Sequence, residues 1–228
     1  DFVALTRFRN WHAQMMLSEE VALKLLQINA IRLSPQNPFT WASGMLSPIY
    51  CDNRLTLSYP PIRSFITDAF ASESTRFAPF DCVAGVATAG IAHGALLAQK
   101  LDKPFVYVRS SQKQHGRQNR IEGLVAPGQS VLVIEDLIST GGSCLRAVEA
   151  LREAGCAVRG VMAIFQYNFA EARTQFDEQN CPFHTLSDYE TLISVASRQD
   201  TLSEVDLLLL SSWHTNPRSW TPQTTLET

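Results

Sequence analysis

Residues 131–143 read Val-Leu-Val-Ile-Glu-Asp-Leu-Ile-Ser-Thr-Gly-Gly-Ser. Four apolar residues run directly into two adjacent carboxylates, Glu135 and Asp136. A turn of small hydroxylated residues and glycines follows. The apolar run predicts a buried strand over Ser130–Asp136. The glycines predict a turn into a helix from Ser143 to Ala154, closed by Gly155. A strand that merely ended in solvent would need no such apolar approach to two acids.

Other segments repeat this alternation. Cys82–Val86, Phe105–Val108 and Val158–Phe165 read as strands, and Ala89–Leu101 reads as a helix. Earlier helices are predicted over Ser18–Arg32 and from Pro60-Pro61 onward, since proline fits a first helical turn. The tail from Ser211 to Thr228 is polar and rich in turn residues. Strands alternating with helices predict an α/β fold with a mostly parallel sheet covered on both faces. Ligands of such sheets bind at the carboxyl ends of the strands.

Composition narrows the partners. The chain has 228 residues, 45% of them hydrophobic, which is enough for a sizeable core. Nineteen Lys and Arg against 22 Asp and Glu leave a net charge of -3, so nucleic acid is not an expected partner. Five cysteines, an odd number with no CxxC pair, predict reduced thiols and a cytoplasmic protein. No stretch is long and apolar enough to predict a membrane span.

Two strand exits carry chemistry. Backbone amides of a Ser/Thr/Gly turn at a helix N-terminus converge on an anion, and the helix dipole favours it. The turn Ser139, Thr140, Gly141, Gly142 and Ser143 therefore predicts a phosphate socket. Glu135 and Asp136 just upstream can accept hydrogen bonds from sugar hydroxyls. Together they suit a ribose 5-phosphate. After the strand Phe105–Val108 comes a polar loop in which Arg109, Lys113, His115, Arg117 and Arg120 gather within twelve residues. Cations grouped in this way suit a leaving pyrophosphate, because they stabilise it more as charge builds.

The run 131–143 resembles the phosphoribosyl-pyrophosphate signature of type I phosphoribosyltransferases. The loop resembles the Arg-Lys-x-x-Lys-x-His-Gly catalytic loop of the orotate phosphoribosyltransferase family, with Arg109, Lys113, His115 and Gly116 on the pattern and Ser110 in place of its second basic residue. Phe39–Arg54 contains Phe-Thr-x-x-Ser-Gly followed by Ser-Pro-x-Tyr, in the same order as that family. The resemblance implies the type I phosphoribosyltransferase fold with a small N-terminal hood. It implies a helical segment at 1–38, a phosphoribosyltransferase domain at 39–210 and a polar tail at 211–228.

It further implies transfer of phosphoribose from phosphoribosyl pyrophosphate to orotate, giving orotidine 5'-monophosphate and pyrophosphate in pyrimidine (UMP) biosynthesis. Arg109, Lys113, His115 and Asp136 are the implied catalytic residues. Arg109, Lys113, His115, Glu135, Asp136, Leu137, Ile138, Ser139, Thr140, Gly141, Gly142 and Ser143 are implied to bind the sugar diphosphate, and Ser139, Ser43 and Gly44 to bind orotate. Mg2+ is the implied cofactor, carried by substrate oxygens without dedicated protein ligands, and a homodimer sharing loop 109–120 is implied. Ala42 stands where the family often has Lys. Phe165-Gln166-Tyr167-Asn168 stands where many members carry Asp-Arg for the orotate carboxylate. Two alternatives follow: a transferase for another nucleobase, with Tyr167 or Phe165 stacking on it, or a non-catalytic regulator sensing the sugar diphosphate.

Overall fold

In the computed structural model, residues 16–41, 43–109 and 120–222 are described. They divide into two units, Asp1–Thr56 with Tyr189–Thr228, and Leu57–Asp188. This division differs from boundaries at 38 and 210, because residues from both chain ends pack together in the first unit.

That unit begins with helix α1, residues 16–27. The helix stops short of Arg32. Asn29 adopts a left-handed φ of 56°, which ends helices, and β-branched Ile31 favours an extended backbone. Ile31–Leu33 forms strand β1. Phe39–Thr40 (β2) and Leu46–Ser47 (β3) pair as a short hairpin. Ile49–Cys51 (β4) runs antiparallel to β1, with Arg32 opposite Tyr50.

Residues from the far end of the chain complete this unit. Helix α6 spans Tyr189–Arg198 and helix α7 spans Glu204–Thr215, the latter started by a reciprocal Ser203/Asp206 capping box. The polar tail expected from Ser211 is thus helical at its start and packed further on. Trp213 is fully buried, edge-on to Trp41 at 5.9 Å, and Trp220 donates its indole N–H to Ser212 Oγ at 2.9 Å. Leu210 and Trp213, three apart, make a buried stripe that the surrounding serines and threonine disguise in sequence.

The second unit starts with helix α2, Pro60–Glu73, with proline in its first turn as expected. Next come strand β5 (Cys82–Val86), helix α3 (Ala89–Lys100), strand β6 (Phe105–Val108) and strand β7 (Ile121–Glu122). Strand β8 (Ser130–Ile138), helix α4 (Gly142–Glu153), strand β9 (Ala157–Gln166), helix α5 (Ala170–Glu178) and strand β10 (Phe183–Asp188) complete it. Six strands form one sheet in the order β10-β9-β8-β5-β6-β7, parallel except for β7. The expected mostly parallel α/β architecture is what forms.

From β5 the chain winds outward through α3 to β6. It then returns to β8 and winds the other way through α4 to β9. The order therefore reverses between β5 and β8, and the crevice at the carboxyl ends of those strands is where α/β sheets bind ligands. Alternation along β8 sends Val131 and Val133 into the core shared with α4 residues Ala147, Val148 and Leu151. Leu132 and Ile134, equally buried, point to the opposite face. This explains the apolar run that precedes the acids.

Gly90, in the first turn of α3, fixes how closely that helix approaches β8. A β-carbon there would collide with the backbone oxygen of Ile134 and sit 3.2 Å from the Glu135 Cα. We expect Gly90→Ala to cost about 1–3 kcal/mol through overpacking, lowering Tm by roughly 2–4 °C per kcal/mol for a chain of this size. A thermal melt with unchanged midpoint would refute that close approach.

Candidate active site

Strand β8 extends two residues beyond the predicted end, so both acids lie inside it and not at its tip. Adjacent residues of a strand point to opposite faces, and Glu135 and Asp136 therefore do different things. Glu135 shares the face of Val131 and Val133 and turns under the start of α4. Only 5% of its surface is exposed. Its Oε1 accepts the backbone N–H of Asp136 at 3.0 Å, and its Oε2 accepts the Ser143 hydroxyl at 3.2 Å. The Cys144 thiol approaches the same oxygen at 3.8 Å. Asp136 is half-buried on the other side of the strand.

Burial makes the charged form of Glu135 expensive, and the nearby Asp136 carboxylate adds to this. The Glu135 pKa is pushed up to about 8. Cys144 is completely buried, and its thiol is held well above the usual range, first by desolvation and then by Glu135. Its place near a helix start does not activate it. The cysteines as a group are free thiols, as expected, four of them buried.

The turn after β8 leads into helix α4 through a left-handed glycine. Gly141 is the N-cap of α4 with φ 89°, a left-handed conformation that favours glycine. A side chain there would also strike the Phe176 ring at 2.8 Å. Leu145 N–H bonds to the Gly141 carbonyl at 3.0 Å, so the helix begins at once. The amides of its first turn have no partners within the helix and converge with the dipole on the mouth of the turn. Ser139 and Thr140 are half-buried beside it, and Ser143 is exposed.

Arg109 lies at the carboxyl end of β6, on the same edge of the sheet as the socket. Arg109, Glu135, Asp136 and residues 137–143 thus all lie at or just past the carboxyl ends of parallel strands of one sheet. Lys113, His115, Ser110 and Arg117 lie outside the described residues, as does Ala42. Arg120 is directed elsewhere: its Nη2 lies 3.6 Å from Glu153 and 4.0 Å from Glu149 on α4, so its charge is already engaged. Ser43 and Gly44 belong to the first unit, exposed at the turn of the β2–β3 hairpin. There Gly44 N–H bonds to the Trp41 carbonyl at 2.8 Å.

Phe165 and Tyr167 are buried, with Tyr167 stacked on Phe169 at 5.4 Å and edge-on to Phe165 at 5.8 Å. Neither ring presents an open face to a base. Of the other histidines, His93 is buried and desolvation pushes its pKa down to about 4, while His184 pairs with Glu73 at 3.0 Å. Among the described residues no group of three or more His, Cys, Asp or Glu is placed to hold a metal ion. No helix among them is long and apolar enough to cross a membrane.

The family model for the phosphoribosyl transferase domain matches residues 64–194, which contain the socket and β6. The chain is 53% identical over 205 residues to the orotate phosphoribosyltransferase of Bacillus caldolyticus, covering 90% of this chain and 99% of that protein. The chain belongs to the orotate phosphoribosyltransferase family. A family member from Bacteroides fragilis is 51% identical over 200 residues, covering 87% of this chain and 94% of its own length. Among solved structures, the orotate phosphoribosyltransferase from Aeropyrum pernix superposes with a TM-score of 0.70 at 26% identity, over 80% of this chain and 99% of that one. The signature read at 131–143 spans the end of β8, the glycine turn and the start of α4. Sequence reasoning missed Glu122, which follows the loop and faces Arg109 at 3.5 Å; a single acid after a basic loop carries no pattern of its own.

The inward turn of Glu135 has a pH signature. Its native pKa lies above the unfolded value near 4.5, so the native state holds a proton that the unfolded chain releases. The stability tied to this proton is complete below about pH 4.5 and is lost as pH rises toward 8. Glu135→Gln should remove that dependence, and its advantage over the parent should grow across this range. Urea midpoints at a series of pH values check this; parallel profiles for the two proteins would show Glu135 to be charged in the fold.

Proposed function

We propose that this chain transfers phosphoribose from 5-phosphoribosyl 1-pyrophosphate to orotate, forming orotidine 5'-monophosphate and pyrophosphate in the pyrimidine (UMP) pathway. The observation that carries this reading is a left-handed glycine N-cap opening a helix just after a central strand that carries two acids near its end. In this proposal residues 137–143 wrap the 5'-phosphate, the amides of the turn donating to it. Asp136 meets the ribose hydroxyls. Glu135 braces the turn from behind through Ser143, which preorganises the socket instead of leaving substrate to order it.

At C1 of the ribose the bond to pyrophosphate breaks and a bond to the orotate ring nitrogen forms, the proton on that nitrogen being lost to the departing pyrophosphate. Positive charge builds on the sugar and negative charge on the departing group. Arg109, Lys113 and His115 clamp that group, with the loop of one protomer serving its partner in a homodimer. Ser139, Ser43 and Gly44 contact orotate. Asp136, the half-buried acid of the pair, would be the protein group beside an Mg2+ ion carried mainly by substrate oxygens and water. When bound, the ion neutralises diphosphate charge. The free, mostly buried cysteines support a reducing, cytoplasmic setting. The buried state of Phe165 and Tyr167 disfavours a transferase that stacks another base on either ring.

Orotate absorbance provides the test. Orotate should disappear only when the sugar diphosphate is present. Turnover with a purine alone, or binding without turnover, would point to another base or to a sensor. Chelating divalent ions should abolish turnover and Mg2+ should restore it. Lys113→Ala should lower kcat on the order of 10²-fold while weakening sugar-diphosphate binding far less. Equal losses in both would reduce the loop to a holder of substrate.

A further inference from the structure

We propose that Glu122 is a positioning residue that grips one edge of the Arg109 guanidinium and turns its other edge toward the pyrophosphate. This rests on the clamp role given to Arg109 above. Strands β6 and β7 pair antiparallel, Tyr107 opposite Glu122 and Val108 opposite Ile121. The ladder continues one step further, Arg109 N–H bonding to the Arg120 carbonyl at 2.8 Å. Two arginines therefore stand opposite each other where the loop leaves the sheet, and like charges so placed repel.

The fold separates them. Arg120 is drawn to Glu149 and Glu153 on α4, and its side chain is only 18% exposed. Arg109 pairs instead with Glu122, which sits diagonally across the ladder, its Nη1 3.5 Å from Glu122 Oε1. Diagonal cross-strand neighbours lie within reach of long side chains. Ile121, buried beside Glu122, holds the strand register, so Glu122 cannot slip to the other face.

The contrast between the two arginines suggests their functions. Arg120 meets two acids and is committed to structure. Arg109 meets a single acid through a single nitrogen and is about a third exposed. Among the described residues no other group bonds its side chain. A guanidinium carries five donors in a fixed fork, so the Nε–Nη2 edge stays available for two phosphate oxygens. A half-solvated pair at this distance adds little to stability. What it does is restrict a long, flexible side chain to an orientation the substrate would otherwise have to select.

Four proteins test this: the parent, Glu122→Gln, Arg109→Ala and the double variant, with kcat, the KM for each substrate, the inhibition constant of inorganic pyrophosphate and Tm measured for each. Glu122→Gln should raise the sugar-diphosphate KM and the pyrophosphate inhibition constant roughly three- to tenfold, with orotate KM and Tm unchanged. Added to Arg109→Ala, it should change nothing further, because its effect passes through that arginine. Losses that multiply in the double variant, or an orotate KM that moves in parallel, would overturn the proposal. If Arg109→Ala itself leaves pyrophosphate inhibition unmoved, the clamp role of Arg109 fails, and Glu122 loses its purpose with it.

Discussion

A carboxylic acid buried at the end of a two-faced strand must find partners inside the protein, and the site follows from how Glu135 finds them. Strand β8 is covered on both sides, so its carboxyl end cannot place consecutive acids in water. Alternation turns Glu135 toward α4, where it accepts the Ser143 hydroxyl and the Asp136 amide. Those two bonds tie the strand end to the helix start across the left-handed Gly141. The turn between them is thereby shaped before any ligand arrives, and Asp136 is left on the opposite side. A neutral carboxyl is well suited to such a brace, since it keeps its hydrogen bonds without burying a charge.

The remaining charges are distributed by the same economy. At the exit of β6, Arg109 and Arg120 would repel if both faced the crevice. Acids on α4 take one and Glu122 takes the other. The helix whose N-terminus forms the socket also carries, further along, the acids that hold Arg120. Helix α4 thus ties the turn after β8 to the root of the loop.

Much of this was legible in the sequence wherever the signal was local and long. Cys82–Val86 and Phe105–Val108 are strands as expected, and the helices after Pro60 and Thr88 begin where turn chemistry puts them. The glycine turn from β8 into α4 was legible because its residues are contiguous. Short or disguised elements were not. Two residues of β7 carry too little pattern to reveal a strand, and serines hid the start of the tail inside α7. At Ser18–Arg32 apolar periodicity continued past Asn29, but pairing with β4 overrode it and made Ile31–Leu33 a strand.

The order of residues alone determined an acid-ended strand, a glycine turn and a basic loop, because each rests on neighbours along the chain. Only the tertiary structure decided that the two acids face opposite ways and that Glu135 is sealed under α4. It alone decided which arginine is spent on structure and which keeps a free edge. Those outcomes depend on register and on which helix covers which face of the sheet. Contacts between residues far apart in sequence set both, and no local pattern encodes them.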